Sequence, residues 1–328
     1  MKARRQGVKA GQTARSGRAP SGVDFAAGNP TLGGLPGRVM STAQFHSPAS
    51  LAEAIALLSH AGARPLGGGT DLIVQMRSGR AAAPAIVDLK RIPELSGVRR
   101  TADGGFAIGA ATPCTALKAD AALAAAWPGV VEGANLIGSV QVRNRATLAG
   151  NLCNASPGAD SVPALIAAGA RACVAGPAGT REVAVAEIPS GPGRTSLAPG
   201  EIVTAIVLPP QTGADAYLRL TPRTEMDIAI VGAGAWVELA DDGTCTAARI
   251  ALGAVAPTAL LVEAAGAALI GTKLDDDALA AMSAACSAAA RPIDDKRGTA
   301  AYRVAMAGVL ARRAVLKAAA RAAATEEA

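Results

Sequence analysis

Aromatic side chains and histidines are scarce in this 328-residue sequence, which has three Phe, two Tyr, two Trp and two His. Proteins that bind single-stranded nucleic acids stack bases on aromatic rings, and so few rings cannot form such a platform. His46 and His60 have no carboxylate at metal-ligand spacing, so we assign both a structural role. We therefore expect neither a nucleic-acid-binding platform nor a histidine-rich metal site.

Cysteines and long apolar runs are also few. The five cysteines are widely spaced, odd in number and form no Cys-X-X-Cys pair. That pattern does not resemble a disulfide framework or a zinc site and is typical of a reducing compartment, so we expect a cytoplasmic protein. No stretch reaches the roughly 18 to 20 apolar residues that a membrane span requires, and residues 259–270, among the longest, contain Glu263.

The net charge of +6 is confined to the first part of the chain. Residues 1–40 hold seven basic groups and one acidic group, which leaves residues 41–328 with 25 of each sign. This leader is rich in Gly, Ala, Ser and Pro and cannot bury enough apolar surface to offset its ordering entropy. We expect residues 1–39 to be a disordered tail or an extension upstream of a start at Met40, with a transit peptide or a nucleic-acid-binding arm as alternatives.

The rest of the chain has the composition of a folded protein, since half of all residues are hydrophobic. About 330 residues exceed what one core usually serves, so two domains are expected. Short apolar runs alternate with turns and helical stretches up to about residue 212, where Pro209-Pro210 and Thr212-Gly213 mark a linker. Three longer strands, at 217–220, 228–239 and 248–255, then precede helices that start near Thr258, Asp275 and Thr299.

This order of elements predicts an α+β fold with a boundary between residues 212 and 213. The first domain covers residues 40–212. The second covers residues 213–322 and contains a three-stranded sheet and helices, and residues 323–328 form a tail.

Local patterns predict where two helices begin and which side of a third helix is exposed to solvent. Ser47 and Pro48 indicate the start of a helix that ends at Gly62, and Asp275 to Asp277 indicate an N-terminal cap. A helix over residues 302–323 has two sides, and we interpret its charged side as a solvated face. The apolar side carries Val304, Val309, Leu310 and Leu316, and the charged side carries Arg312, Arg313, Lys317 and Arg321.

Gly67, Gly68 and Gly69 follow a short predicted strand and precede Thr70-Asp71 and a helical turn at Leu72–Arg77. Consecutive glycines let backbone N–H groups approach a ligand, and such groups can bind phosphate oxygens. Neither a Lys-Ser/Thr P-loop ending nor a Gly-X-Gly-X-X-Gly motif before a helix is present. By spacing alone, a tight structural turn and a phosphate site are equally compatible with this loop.

A second loop is predicted over residues 143–160, which are dense in Asn, Gly, Ser and Pro and lack periodicity. Its amides need partners, and a pyrophosphate would supply them, so two such loops in one domain favour a dinucleotide. Cys153 either faces that ligand or is a small buried thiol. Arg143 and Arg145 either steer a partner protein or close the loop against carboxylates.

Five segments together resemble the FAD-binding subunit of the molybdenum hydroxylases, a family that includes carbon monoxide dehydrogenases, xanthine dehydrogenases and aldehyde oxidoreductases. They are LGGGTDLIVQMR, VQVRNRATLAGNL, ASPGADSVPAL, ALGAVAPT and a late AYR at residues 301–303. The resemblance runs in order from about Met40 to Arg313. It implies an FAD-binding domain of the vanillyl-alcohol-oxidase or p-cresol-methylhydroxylase type, followed by the family's own C-terminal domain.

The resemblance also implies which residues bind FAD. Gly67 to Thr70 would lie against the pyrophosphate and Asp160 would reach the adenosine half, whereas Val203 and Arg219 would contact the flavin end, where Arg219 would stabilise anionic reduced flavin. The full set is Pro65, Leu66, Gly67, Gly68, Gly69, Thr70, Asp71, Leu72, Ile137, Thr147, Ala149, Gly150, Asn151, Asp160, Val203 and Arg219.

The sequence departs from the family pattern at two of these positions. Ala149 replaces a common glycine, which would cost on the order of 1 kcal/mol and loosen the pyrophosphate contact if the position requires positive φ. Arg219 replaces a common lysine, so the charge is kept but the shape is not. Neither loop contains a histidine for covalent flavin attachment, and no cysteine cluster suggests an iron–sulfur cluster in this chain.

The implied function is electron transfer, with no catalytic side chain and no metal site in this chain, because the flavin carries the chemistry. A large partner subunit would hold molybdopterin and a small one [2Fe–2S] clusters, in a dimer of heterotrimers, and FAD here would pass electrons to an acceptor. The alternatives are a flavin-free assembly or scaffold subunit of the same complex and a free-standing flavin oxidase. We expect that removing residues 1–39 leaves flavin binding and assembly unchanged.

Overall fold

The structure is a computed structural model that describes residues 43–326. The predicted leader, residues 1–39, and the proposed start at Met40 lie outside the described residues. Within residues 43–326, no helix combines the length and hydropathy needed to cross a membrane. In the same range, no group of three or more His, Cys, Asp or Glu side chains is placed to hold a metal ion.

Helices and short strands alternate in the first half of the described chain. In chain order they are β1 (Gln44–His46), α1 (Leu51–Leu58), β2 (Arg64–Leu66), α2 (Leu72–Arg77), β3 (Ala85–Asp88), β4 (Val98–Arg100), β5 (Phe106–Gly109), α3 (Cys114–Ala119), α4 (Ala121–Ala126), α5 (Pro128–Asn135), α6 (Val140–Arg143), α7 (Leu148–Cys153) and α8 (Ser161–Ala167).

Longer strands and helices follow. They are β6 (Arg171–Gly176), β7 (Gly179–Ala184), β8 (Pro189–Gly191), β9 (Arg194–Thr195), β10 (Ile202–Leu208), β11 (Ala214–Leu220), β12 (Val231–Leu239), β13 (Cys245–Gly253), β14 (Leu260–Leu261), α9 (Glu263–Ala267), α10 (Asp276–Ala289) and α11 (Ala300–Glu326).

A small parallel sheet of order β1-β3-β2 carries the first glycine loop. Val87 in its central strand and Leu66 at the end of β2 are buried, which fixes the sheet against α1 and the neighbouring loops. In a parallel sheet the carboxyl ends of all strands lie at one edge. The glycine loop, which follows β2, therefore lies beside the residues that follow β3.

An antiparallel sheet of order β4-β5-β10-β6-β7 forms the second layer, and a separate β8-β9 hairpin follows β7 in the chain. The inward-facing residues of the five-stranded sheet pack with helices α3 to α8 into one core, which includes Trp127, Leu148, Leu165 and Ile206. Helix α8 is buried along its whole length. At its C-terminus, Arg249 of β13 donates a hydrogen bond of 2.7 Å to the Ala167 carbonyl, so α8 joins this layer to the next sheet.

The last sheet is antiparallel, of order β11-β12-β13-β14, and packs against α9, α10 and α11 around a second core. The predicted α+β fold is confirmed, with one difference in the strands of this sheet. Leu260 and Leu261 pair with Leu252 and Ala251 and add a two-residue fourth strand. The helix predicted from about Thr258 consequently begins only at Glu263.

The cap of helix α1 lies three residues later than predicted. Ser50, rather than Ser47, accepts a hydrogen bond from the Glu53 amide, and the Glu53 carboxylate accepts one from the Ala49 amide, both at 3.3 Å. These reciprocal bonds resemble a capping box and satisfy two amides, which a cap at Ser47 would not. The helix ends at Leu58, and Gly62 lies in the following turn with φ of 79°.

Helix α11 presents the predicted apolar side only in part, since Leu310 is buried and Val304 packs against the second core. Val309 and Leu316 are 42% and 44% exposed, and a stripe of mostly small residues faces the sheet instead. That buried stripe contains Ala307, Leu310, Ala311, Ala314, Val315 and Ala318. The prediction was wrong for Val309 and Leu316 because alanine permits close packing of a helix on a sheet, so residue size helped to decide the face.

Candidate functional site

The first glycine loop leaves a series of amides without internal partners. Gly69 has φ of 79°, which turns the chain from β2 into α2. Among residues 43–326, the N–H groups of Gly68, Gly69, Thr70, Asp71 and Leu72 have no hydrogen-bond acceptor. Successive unpaired amides around a residue with positive φ form an anion-binding concavity.

The two predicted loops lie in direct backbone contact. A Cβ atom at Gly68 would be 2.0 Å from the Arg145 carbonyl oxygen and 2.9 Å from Ala146 Cα, and one at Gly67 would be 3.3 Å from Thr147 Oγ1. Only glycine permits this approach. The structure thus brings together the first loop and the second, as expected for a single ligand site.

The second loop is not irregular throughout, because residues 148–153 form helix α7. Thr147 is buried at its N-terminus, where the hydroxyl accepts a hydrogen bond of 2.9 Å from the Gly150 amide. This Thr-capped turn was missed because six residues are too short for a helical period to show in the sequence. Gly150 is exposed and Asn151 is half-buried.

Ala149 fits its position without strain. It is buried within α7 and does not have positive φ. The predicted cost of replacing glycine depended on positive φ, so that cost does not arise. Weaker pyrophosphate contact therefore has no backbone cause at Ala149.

Two contacts that the sequence did not indicate fix the loops. Gln75 of α2 donates a hydrogen bond of 2.8 Å to Asn154 at the end of α7. The Lys90 ammonium donates to the Gly67 carbonyl at 3.2 Å and also binds the Asp88 carboxylate. The Asp-Leu-Lys segment at the end of β3 shows that Asp88 and Lys90 are close in sequence. It does not show that Lys90 also binds a backbone carbonyl 23 residues away.

A buried polar cluster lies around Asp160. The Asp160 carboxylate accepts hydrogen bonds from the Tyr217 hydroxyl at 2.9 Å and from Arg219 Nη1 at 2.7 Å. The Arg219 and Asp160 side chains are only 5% and 7% exposed. Burial raises the pKa of Asp160 to about 6, although Arg219 and Tyr217 both favour the ionised form.

Asp160 and Arg219 form an ion pair with each other. The resemblance implied that Asp160 reaches the adenosine half of FAD and that Arg219 contacts the flavin end, and both assignments stay predictions. The missed partner, Tyr217, carries a hydroxyl that needs a partner when buried.

The remaining predicted residues lie around these groups. Ile137 is half-buried and its carbonyl accepts a hydrogen bond of 3.2 Å from Arg143, which binds carbonyls here rather than the predicted carboxylates. Val203 in β10 is buried in the core opposite Val174. Cys153 is half-buried, and burial raises the pKa of its thiol to about 12.

Helix α5 is held by residues from the second half of the chain. Asp215 of β11 accepts hydrogen bonds of 2.9 Å from the amides of Gly129 and Val130. Glu132 accepts from Lys317 at 2.6 Å and from Arg321. Lys317 and Arg321 therefore bind α5 instead of forming the solvated face predicted for them.

In this contact of α5 with β11 and α11, which we call the seam, the pKa values of Asp215 and Glu132 shift in opposite directions. Burial raises the pKa of Asp215 to about 7, against the effect of the two amides. Burial also acts to raise the pKa of Glu132, but hydrogen bonds from Arg321, Lys317 and the Tyr217 amide together lower it. At the other end of α5, the Leu136 carbonyl accepts a hydrogen bond of 2.9 Å from Arg219, which joins the seam to the Asp160 cluster.

A diphosphate fits the cradle formed by the two loops. The consecutive amides of residues 68–72 need acceptors, and phosphate oxygens are suitable ones. Gly67 and Gly68 keep the cradle open where a Cβ atom would meet the second loop.

Comparison with known families identifies the group. A family model described as the FAD-binding domain in molybdopterin dehydrogenase matches residues 41–211. The chain belongs to this family. A second model, the carbon monoxide dehydrogenase flavoprotein C-terminal domain, matches residues 216–318. The expected family resemblance and the cofactor, FAD, are confirmed for this FAD-binding protein.

Individual relatives agree with the family assignment. The chain is 41% identical over 281 residues to the carbon monoxide dehydrogenase medium chain of Afipia carboxidovorans, covering 85% of this chain and 97% of the relative. It is 36% identical over 220 residues to the xanthine dehydrogenase FAD-binding subunit of Escherichia coli, covering 66% and 75%.

Solved structures show the same similarity. A crystal structure of the Cu,Mo-carbon monoxide dehydrogenase in its cyanide-inactivated form contains a chain with a TM-score of 0.82 and 39% identity, covering 85% of this chain and 98% of that one. Carbon monoxide dehydrogenase from Hydrogenophaga pseudoflava gives 0.81 and 37%, with the same coverage. The expected fold class and the assignment to oxidoreductases are confirmed.

Proposed function

We propose that this chain binds FAD between the two loops and passes electrons from iron–sulfur clusters of a small partner subunit to an external acceptor. A large partner subunit would hold the molybdenum cofactor at which substrate is oxidised. Support comes from the relatives, whose names include the carbon monoxide dehydrogenase medium chain and the xanthine dehydrogenase FAD-binding subunit. When bound, FAD supplies the redox chemistry, and the protein supplies position and charge.

The observation that carries this proposal is the row of amides at residues 68–72 that have no acceptor within the described part of the chain and lie beside the second loop. We propose that these amides bind the diphosphate from one side and that residues 147–151 approach it from the other. Pro65 and Leu66 place the loop at the end of β2. The buried Asp160–Arg219 pair and Ile137 then border one part of the cofactor, and Val203 supports the site from β10.

We also propose a dimer of heterotrimers and a cytoplasmic location. The five cysteines are unpaired within the chain, as is usual for proteins of reducing compartments. The domain division proposed at residues 212 and 213 lies between the ranges that the two family models match.

The test is to purify the full chain, alone and together with co-purifying subunits, and to record its visible spectrum and FAD content. One FAD per chain in either preparation supports the proposal. A complex that assembles with no flavin would instead identify a scaffold subunit, and substrate turnover by the chain without partners would identify a free-standing oxidase.

A single substitution should test whether the first glycine loop binds the flavin. We expect Gly68→Asp to abolish flavin binding, because its side chain would meet the Arg145 carbonyl and place a negative charge beside the diphosphate. Ala122→Asp is the control, since it adds the same charge at an exposed position in the first turn of α4. Equal FAD content in the two purified variants would contradict the assigned site.

A further inference from the structure

Lys90 lies at the edge of the small sheet where the glycine loop begins. It follows Asp88, the last residue of β3, and its amide donates to the Asp88 carboxylate at 3.2 Å. Since β2 and β3 are parallel, their carboxyl ends share one edge. The side chains are 30% exposed for Lys90 and 12% for Asp88, so the ion pair lies partly beneath the surface.

The ammonium of Lys90 is shared between a side chain and the loop backbone. It binds the Asp88 carboxylate and donates to the Gly67 carbonyl at 3.2 Å. Asp88 thereby holds the ammonium in position beside the loop. A flexible lysine side chain would otherwise lose rotamer entropy to make this contact.

The Gly67 carbonyl determines where the next amide points. The described residues contain no cis peptide bond, and in a trans peptide the C=O and the following N–H point in opposite directions. With the Gly67 carbonyl bound to Lys90, the Gly68 N–H is directed away from Lys90. That N–H belongs to the series of loop amides, at residues 68–72, that have no acceptor among residues 43–326.

We infer that Lys90, held by Asp88, is a positioning residue for the diphosphate of FAD: it orients the Gly67–Gly68 peptide so that the Gly68 amide faces the ligand. This inference rests on the proposed FAD site and assigns part of its preorganisation to a residue outside both loops. Without Lys90 the peptide loses the hydrogen bond that orients its carbonyl, and the cost of orienting it on binding would reduce the affinity for FAD.

The experiment uses the full chain, in the preparation in which the wild type carries FAD. Lys90→Met alone would leave a buried carboxylate unpaired, so it is combined with Asp88→Asn, whose amide oxygen still accepts from the residue 90 amide. We expect FAD to bind about tenfold more weakly, a loss of one hydrogen-bonded charged contact. Lys118→Met, an exposed lysine on α3, is the control, and Lys90→Arg should restore most of the affinity.

Hydrogen exchange followed by mass spectrometry supplies a second readout. At saturating FAD we expect the variant to lose FAD-dependent protection in peptides covering residues 67–72 but to keep it in residues 147–152. Unchanged FAD affinity would overturn the inference. Equal loss of protection in both loops would also overturn it, since that result indicates general destabilisation. A wild-type chain that carries no FAD in any preparation would overturn the proposed function along with it.

Discussion

At the scale of single residues, two buried carboxyl groups near the site have shifted pKa values. Asp160 and Asp215 both have raised pKa values, of about 6 and about 7, because burial disfavours their charged forms. Each nevertheless accepts two hydrogen bonds from groups of this chain. They are therefore satisfied polar groups whose ionisation costs free energy, and they differ in this from exposed acids such as Asp242.

The pH dependence of stability should reveal Asp160. Its pKa is higher in the folded chain than in the unfolded chain, so folding favours the protonated form. The resulting stabilisation is fully present below pH 3.8 and is lost as pH rises through about 6. We expect the stability of the wild type relative to Asp160→Asn to grow as pH falls from 7 to 4.5, by about 2 kcal/mol.

The measurement is urea unfolding of both proteins at matched pH values. Comparing the two proteins cancels contributions from the other titrating groups, including Glu201, whose pKa is lowered by its hydrogen bonds with Arg181. A difference that stays constant over this pH range would show that the folded-state pKa of Asp160 is not raised.

At the scale of elements, α5 is the helix on which both halves of the described chain meet. Asp215 binds its N-terminal amides, Glu132 in its middle binds Lys317 and Arg321 of α11, and Arg219 binds the Leu136 carbonyl at its end. Three contacts at successive points along one helix fix both its position and its rotation. The location of Arg219 beside Asp160 follows from this arrangement.

Removing one of these contacts should reduce stability more than removing an exposed charge from the same helix. We expect Arg321→Met to lower the free energy of unfolding by about 1–3 kcal/mol, because Glu132 is half-buried and loses a charged partner. Arg313→Met, at an exposed position of α11, should change it by less than about 0.5 kcal/mol. Chemical denaturation of both variants measures this, and equal effects would contradict a structural role for the seam.

At the scale of the whole molecule, the ranges matched by the two family models begin at residue 41 and end at residue 318. All residues of the proposed FAD site lie within them. We expect a chain that starts at residue 40 to bind FAD, and to assemble with partners, as well as the full chain does. FAD titration and co-purification of the shortened chain measure this. A loss of assembly would instead show that residues 1–39 contribute to docking.

Much of the fold could be predicted from the sequence because it depends on short-range patterns. Helix α2 was predicted with the observed bounds, Leu72–Arg77. The cap of α10 is confirmed, since the Asp275 carboxylate accepts a hydrogen bond of 2.9 Å from the Ala278 amide. Both depend on residues within one turn of each other. The cap of α1 was placed at Ser47, three residues before the observed cap at Ser50, because the pairing of Ser50 with Glu53 was not recognised in the sequence.

The candidate site divides in the same way. The glycine loops were visible because glycine has a local conformational meaning, and family resemblance supplied the cofactor. The Asp160–Arg219 pair joins residues 59 apart in the sequence, and Glu132 and Lys317 are 185 apart. No local pattern indicates which charges meet over such distances.

By itself, then, the sequence determined the α+β class, the two glycine-rich loops and the helices and strands with clear local patterns, because backbone preference and hydrophobic periodicity act over a few residues. Tertiary structure alone decided which charges are buried, which face of α11 meets the sheet and that Lys90 binds the Gly67 carbonyl. The physical reason is that ion pairing, burial and close packing depend on the distance between elements in space, which only the assembled fold specifies.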